Sequence, residues 1–168
     1  MNNTVTLNII RFVILVLIQA LILNNINFLG YINPYIYILF ILLYPIQNNR
    51  LLFIFLGFLL GLSVDLFLDS GGVHAAACVF IAYIRPLVLK FAYGMTYEHQ
   101  TVKISQSEMG QRITYFGILT LLHHLMLISL EVFNSTKVLL ILKKTLFSSI
   151  FTIILCVLIT ILFSQKSK

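Results

Sequence analysis

The sequence contains no tryptophan and only five acidic residues among its 168. Charged residues make up 10% of the chain, whereas soluble proteins average roughly a quarter. Apolar residues make up 60%, and the mean hydropathy is +1.03. Such a chain cannot supply the polar surface that a soluble domain needs. We therefore expect an integral membrane protein.

Cysteine and the usual catalytic patterns are also scarce. The two cysteines, Cys78 and Cys156, lie inside apolar runs, which argues against a disulfide framework. His123 and His124 are adjacent, so on a helix they point about 100° apart and cannot face one ion from one surface. No metal-ligand spacing, phosphate loop, paired carboxylates or His-Asp set is recognisable. We expect no cofactor, no bound metal and no enzymatic activity.

Apolar runs fill most of the chain and leave no room for a sizeable soluble domain beside several spans of about 20 residues each. We predict a single all-α membrane domain over residues 1–168, with about six transmembrane helices in one bundle. Pro34 and Pro45 lie at the two ends of the second run, so its middle can stay helical. The tyrosines of that run, Tyr31, Tyr35, Tyr37 and Tyr44, suit the two membrane interfaces. The predicted spans are 7–23, 28–46, 51–68, 73–93, 113–130 and 146–163.

Basic residues near the ends of the spans predict the orientation. Seven fall on the side of the amino terminus, namely Arg11, Arg50, Lys90, Lys103, Arg112, Lys166 and Lys168. Three fall on the other side, namely Lys137, Lys143 and Lys144. This excess places both termini in the cytoplasm. The net charge of +6 is explained by orientation and anionic membrane lipid rather than by nucleic acid, and residues 137–145 could lie flat in the interface.

One stretch carries unusual polar groups inside apolar sequence. Gly57, Gly61, Asp65 and Asp69 recur every fourth residue and form one stripe on a helix. After Gly71 and Gly72, a second stripe of small and polar residues follows at helical spacing, namely His74, Cys78, Ala82 and Arg85. We predict a helical hairpin with a packed, partly polar seam, in which the glycines allow close approach of helices within the chain.

The depths of Asp65 and Arg85 predict that the two side chains do not pair. Asp65 lies about 6 Å from the turn and Arg85 about 18 Å, at 1.5 Å per residue. We expect Asp65 to bond locally and Arg85 to reach the near membrane surface or a group on another helix. Pro86 should kink its helix beside Arg85. Buried charges of this kind serve either a function or a structural clamp between helices, and both interpretations stay open.

The hairpin sequence GLSVDLFLDSGGVHAAACVFIAYIRPLVL resembles the MreD family of rod shape-determining proteins, particularly its Bacteroidetes-type forms. The residues that carry this resemblance are Gly61, Asp65, Gly72, His74, Ala75, Ala76, Arg85 and Pro86. The specific likeness covers roughly thirty residues; elsewhere it is one of length and hydropathy.

The resemblance implies a multi-pass component of the bacterial cytoplasmic membrane that takes part in peptidoglycan synthesis during cell elongation. It implies an MreC-like partner and, through that partner, MreB, RodA and a penicillin-binding transpeptidase. It also implies a fold similar to the substrate-binding subunits of energy-coupling-factor transporters. We therefore expect a non-enzymatic scaffold in which Gly57, Gly61, Asp65, Asp69, Gly72, His74, Arg85 and Pro86 serve helix packing or partner contact. The alternative is a vitamin-type binding subunit of a transporter, which the lack of tryptophan disfavours.

Overall fold

The computed structural model describes residues 3–26, 32–46, 49–94 and 104–164. Within these ranges the chain forms six α-helices and no β-strand. The predictions that rest on Tyr31, Lys103, Lys166 and Lys168 fall outside the described residues. The helices are α1 (Asn3–Leu21), α2 (Leu39–Leu43), α3 (Arg50–Leu68), α4 (Val73–Tyr93), α5 (Met109–Val132) and α6 (Val138–Ser164).

Four of the described helices, α3 to α6, are long and apolar enough to cross a membrane. The predicted bounds of α3 and α4 are correct within one residue, and α5 is slightly longer at both ends than predicted. The prediction for α6 was wrong at its start, because residues 138–145 continue the helix instead of forming a separate segment. α1 provides a shorter apolar stretch, Val5–Leu21.

The second predicted span is not one long helix. A 3-10 turn, Ile36–Ile38, leads into α2, which has only five residues. Tyr44 ends α2 with extended backbone, at φ −61° and ψ 139°, the conformation that a residue before proline favours. The prediction that this run spans the membrane as a helix is therefore wrong for the residues described.

We call residues 34–44 the central segment, because the long helices surround it. Side chains from Ile36 to Leu42 are all buried and Leu43 is half-buried, so no face of α2 is fully exposed. A helix that is apolar on every side belongs inside a bundle. Each of α1, α3, α4, α5 and α6 contributes at least one ring contact or hydrogen bond to this segment, through Phe12, Phe53, His74, Arg85, Tyr115, His123 and Thr152.

The four long helices pack in sequence, α3 against α4, α4 against α5 and α5 against α6, while α1 packs against α3. Because successive helices run antiparallel, the α3–α4 turn and the α5–α6 connection lie at one end of the bundle, the hairpin end. The amino termini of α3 and α5 lie at the opposite end. Large apolar side chains are exposed along α1, α3 and α6, as expected of surfaces that face lipid.

Candidate functional site

The glycines of the hairpin set the distance between α3 and α4. A Cβ atom built on Gly61 would lie 2.5 Å from the Cα and N atoms of Ala75. At Gly57 it would lie 3.4 Å from the Cβ of Ala82 and 3.5 Å from the carbonyl oxygen of Cys78. The prediction that the small residues of α3 pack within the chain is confirmed.

Asp65 of α3 caps the amino terminus of α4. Its Oδ1 accepts the backbone N–H of His74 at 3.1 Å, and its Oδ2 accepts that of Ala75 at 2.8 Å. The residue at the N-cap position, Gly72, has no side chain for this role. The carboxylate therefore replaces a local cap and also lies at the positive end of the helix dipole.

The turn between α3 and α4 brings the capping groups together. Asp69, Gly71 and Gly72 have φ values of +51°, +68° and +94°, a conformation that glycine adopts without strain. Asp69 lies outside the helix and is exposed, so it leaves the stripe on which the sequence had placed it. The hydroxyl of Ser70 donates to Asp65 Oδ1, which helps to hold the carboxylate in place.

A His-Asp set does exist at this turn, contrary to the sequence analysis. The Nδ1 atom of His74 lies 2.9 Å from Asp65 Oδ1 and 3.1 Å from the hydroxyl oxygen of Ser70. In a hydrolytic triad, the serine and the aspartate bond to opposite nitrogens of the histidine. Here both share Nδ1, and Ser70 donates directly to Asp65. The arrangement is that of a helix cap rather than of a nucleophile and its base.

His74 and four other rings form a cluster. The centroids of His74, Tyr35, His124, His123 and Tyr37 form a closed circuit with neighbour distances between 5.2 and 5.9 Å. Tyr35 and Tyr37 are second neighbours in this circuit, yet their centroids are only 6.2 Å apart. The rings therefore pack on one another instead of surrounding a space.

The two adjacent histidines bond to different elements. His123 Nε2 lies 2.9 Å from the Tyr37 hydroxyl of the central segment. His124 Nε2 lies 3.1 Å from the Thr152 hydroxyl of α6, and its Nδ1 lies 2.8 Å from the Thr120 carbonyl. Because a carbonyl only accepts, His124 carries its proton on Nδ1, and Thr152 donates to Nε2.

Both ends of the central segment are held by side chains. At the start, the Thr152 hydroxyl accepts the backbone N–H of Tyr35 at 3.1 Å. At the other end, the Arg85 guanidinium donates to the Tyr44 carbonyl, and the Tyr115 hydroxyl donates to the Leu42 carbonyl at 3.2 Å. These bonds satisfy backbone groups that no water reaches in a bilayer. Without them a five-residue helix inside a membrane would be costly.

Arg85 is buried, with 3% of its surface exposed. Its Nε donates to the Tyr115 hydroxyl at 2.7 Å, and its guanidinium carbon lies 4.7 Å from the centroid of the Phe53 ring. Asp65 and Arg85 thus have separate partners, as the depth argument predicted, and Arg85 meets a group on another helix. α4 continues through Pro86 to Tyr93, and the predicted kink stays a prediction.

Sequence reasoning missed the residues that hold the central segment. Tyr35, Tyr37 and Tyr44 were assigned to the membrane interfaces, but all three are buried in the bundle. The sequence of α6 contains a signal that could have indicated these contacts. Every buried position on its inward side is small or polar, and Thr152 is one of them. These positions are Thr145, Ser148, Ser149, Thr152, Cys156 and Thr160.

In the part of the chain that the structure describes, these features define a helical bundle with four helices long and apolar enough to cross a membrane, and with a short helix fixed inside it by polar side chains. Comparison with family models, with curated proteins and with solved structures gave no match to this chain.

Proposed function

We propose that this chain is a non-enzymatic membrane scaffold of the bacterial cell-elongation machinery, in which it docks the transmembrane helix of an MreC-like partner. The observation that carries the proposal is the use of the polar side chains. Asp65, His74, Arg85 and Thr152 are directed inward and bond to the chain itself. The outer surface that remains is apolar and rests on a fixed core, which suits the docking of another helix.

In this proposal Asp65 and Arg85 keep the first of their two expected roles, which is to fix helix geometry. Asp65 holds α4 against α3, and Arg85 holds the end of the central segment. Both side chains are buried, so a partner helix would meet the faces that they support rather than the groups themselves. The expected likeness to the substrate-binding subunits of energy-coupling-factor transporters is part of the same proposal.

The exposed stripe of α4 is the face that we assign to the partner. Tyr83, Leu87 and Phe91 recur every fourth residue and all point outward. The Arg50 guanidinium lies 5.0 Å from the centroid of the Tyr83 ring, so α3 contributes to the same face. Aromatic residues and arginine are enriched at protein interfaces. The outer face of α6 is mostly aliphatic, and its exposed aromatic residues, Phe147 and Phe163, do not form a stripe at helical spacing, so we assign this face to lipid.

Co-purification with a tagged MreC-like partner tests this assignment. We expect Leu87→Trp to lower partner capture at unchanged protein abundance, because a bulky side chain blocks docking without entering the core. Ile154→Trp, on the outer face of α6, is the matched control and should leave capture unchanged. Normal capture by Leu87→Trp, and also by Asp65→Ala and Arg85→Ala at normal abundance, would contradict the scaffold proposal.

The alternative function, a vitamin-type binding subunit, is favoured by one observation. His74 Nε2 and His123 Nδ1 are buried and lack a hydrogen-bond partner among the described residues, and both belong to the ring cluster at the hairpin end. Buried polar atoms of this kind can serve a ligand. A ligand pocket needs about 300 Å³ or more, however, and the rings here are packed together.

Thermal-shift screening of the purified protein against vitamins and lipid-linked precursors separates the two functions. A saturable shift that His123→Leu abolishes would favour the binding subunit over the scaffold. The absence of a saturable shift with every compound would favour the scaffold function.

A further inference from the structure

Arg112, in the first turn of α5, is the second buried arginine of the bundle. Unlike Arg85, it has weak hydrogen-bond partners. Only 6% of its surface is exposed. Its Nη1 donates to the Ser105 carbonyl at 2.9 Å, and its Nη2 donates to the Met109 sulfur at 3.1 Å. Its Nε has no partner in the described structure. A thioether is a weak acceptor, so this guanidinium lacks the strong acceptors that buried arginines usually have.

The charge of Arg112 is not neutralised by the residues described. The ion pairs among them are His74–Asp65 and Lys144–Glu131, both at the hairpin end. Arg85 donates to the Tyr115 hydroxyl, and Tyr115 lies three residues after Arg112 on α5, so two buried positive charges lie near the opposite end. A buried charge without a counter-ion is strongly unfavourable in a membrane. The pair therefore creates a local demand for an anion.

The start of α5 is open to such an anion. Glu108 occupies the N-cap position without a side-chain cap, and the first turn contains no acidic residue. The first backbone N–H groups of a helix lack intrahelical acceptors and attract anions. A Cβ atom built on Gly110 would meet nothing within 4 Å, and Met109 is 42% exposed. The side chain that occupies Arg112 Nη2 is therefore itself at the surface of the described structure.

We propose that Arg112 and the first turn of α5 bind the phosphate of an anionic phospholipid headgroup. A phosphate oxygen takes the place of the Met109 sulfur on Nη2, and the free N–H groups of the first turn support it. The exposed side chain of Ile113, directly after Arg112, offers an apolar surface for an acyl chain. Glu108 is the acidic neighbour that the site must outweigh. This inference does not depend on the scaffold function.

The test measures thermal unfolding of the full chain in micelles of dodecyl maltoside, a detergent that carries no phosphate, with increasing fractions of phosphatidylglycerol. We expect phosphatidylglycerol to stabilise the wild type and Arg112→Gln to weaken its apparent affinity by about tenfold or more, because a charge-assisted hydrogen bond to the phosphate is lost. Arg50→Gln removes an exposed arginine at the same end, so it measures the general attraction of one basic group to an anionic surface and should weaken the affinity by about fivefold at most. Equal losses in the two variants would contradict a specific site. Equal responses of Arg112→Gln and the wild type would overturn the proposal.

A second variant and a measurement with free phosphate complete the test. Met109→Glu places a carboxylate beside Arg112, so it should stabilise the protein in dodecyl maltoside alone and abolish the response to phosphatidylglycerol. An unchanged response would overturn the proposal even if Arg112→Gln fails to fold. Inorganic phosphate added to the micelles should stabilise the wild type less than the lipid does. An equal effect of inorganic phosphate would assign the site to free phosphate and overturn the lipid assignment.

An internal counter-ion is the remaining explanation to exclude. Glu98 lies outside the described residues and is the acidic residue nearest to Arg112 in sequence after Glu108. Under the proposal, Glu98→Gln should keep the response to phosphatidylglycerol. If Glu98→Gln and Arg112→Gln destabilise the protein equally and abolish the response alike, Arg112 belongs to an ion pair within the chain and the proposal fails.

Discussion

Gly61 holds α3 and α4 at a distance that no other residue permits. A methyl group there would overlap the backbone of Ala75, which cannot move away as a flexible side chain could. We expect Gly61→Ala to lower the free energy of unfolding by about 1–3 kcal/mol, the usual cost of overpacking. Denaturant unfolding in detergent micelles measures this change.

Two other glycines provide the controls for Gly61. At Gly57 the nearest atom is a methyl group at 3.4 Å, so Gly57→Ala should cost much less. At Gly117 nothing lies within 4 Å, and alanine should stabilise α5 by roughly 0.5–1 kcal/mol through its helix propensity. Equal effects at all three positions would show that helix propensity, and not close packing, governs this hairpin.

The capping role of Asp65 can be tested at the amide groups it binds. Asp65→Ala leaves the N–H groups of His74 and Ala75 without acceptors and should cost about 1–2 kcal/mol, as other lost caps do. Asp65→Asn retains one acceptor oxygen, so we expect a smaller loss. Hydrogen exchange of the first turn of α4 should accelerate in the order wild type, Asn, Ala. Unchanged protection in Asp65→Ala would rule out the cap.

At the scale of elements, the central segment depends on the bonds at its carboxyl end. Arg85→Ala removes the donors to Tyr44 and Tyr115 and should lower the free energy of unfolding by roughly 2–4 kcal/mol, counting the lost bonds and the buried acceptor left behind. Tyr115→Phe removes one hydroxyl and should cost about 1–2 kcal/mol.

The double variant gives a sharper measurement of the same contact. Because Arg85 and Tyr115 bond to each other and to neighbouring carbonyls, the combined loss should fall short of the sum of the single losses. Simple additivity would mean that the two side chains stabilise the segment independently, and would contradict the shared cap.

The hairpin could be predicted from the sequence, whereas the central segment could not. Gly57, Gly61 and the turn at Gly71 and Gly72 act through backbone geometry, which a helical repeat reveals directly. Residues 28–46 form an apolar run of transmembrane length. Such a run has the same sequence pattern whether lipid or protein surrounds it. What distinguishes the two cases is long-range contact, such as Tyr35 with Thr152, which lies 117 residues further along the chain.

The capping groups illustrate the same limit. The sequence predicted that Asp65 bonds locally, but its bond to His74 depends on Asp69 and Gly72 adopting positive φ values in the turn. Of the two alternatives predicted for Arg85, the membrane surface or a group on another helix, the second is correct. The carbonyl of Tyr44 could be found only once α2 was seen to end there. Local rules place polar residues on a helix, and tertiary packing decides which backbone groups they satisfy.

At the scale of the whole molecule, the lengths of the helices must be reconciled with a bilayer. α6 has 27 residues and is about 40 Å long at 1.5 Å per residue, whereas the hydrocarbon core of a bilayer is about 30 Å thick. Lys144 lies 3.9 Å from Glu131, at the end of α5, so the first residues of α6 extend beyond that level. The extension carries exposed apolar residues and lysines, a composition suited to the headgroup region.

The orientation of the bundle in the membrane is open to a direct test, because both native cysteines, Cys78 and Cys156, are fully buried. Asp69 is exposed at the hairpin end and Glu108 at the opposite end, so a cysteine at either position reports one side of the membrane. The excess of basic residues predicts that the hairpin end faces outward.

We expect a membrane-impermeant maleimide to label Asp69→Cys in intact cells, and to label Glu108→Cys only after the membrane is opened. The reverse pattern would place the termini outside and would move the proposed phosphate site of Arg112 to the outer leaflet. Labelling of both variants in intact cells would mean that the helices do not cross the membrane as α3, α4 and α5 are arranged here.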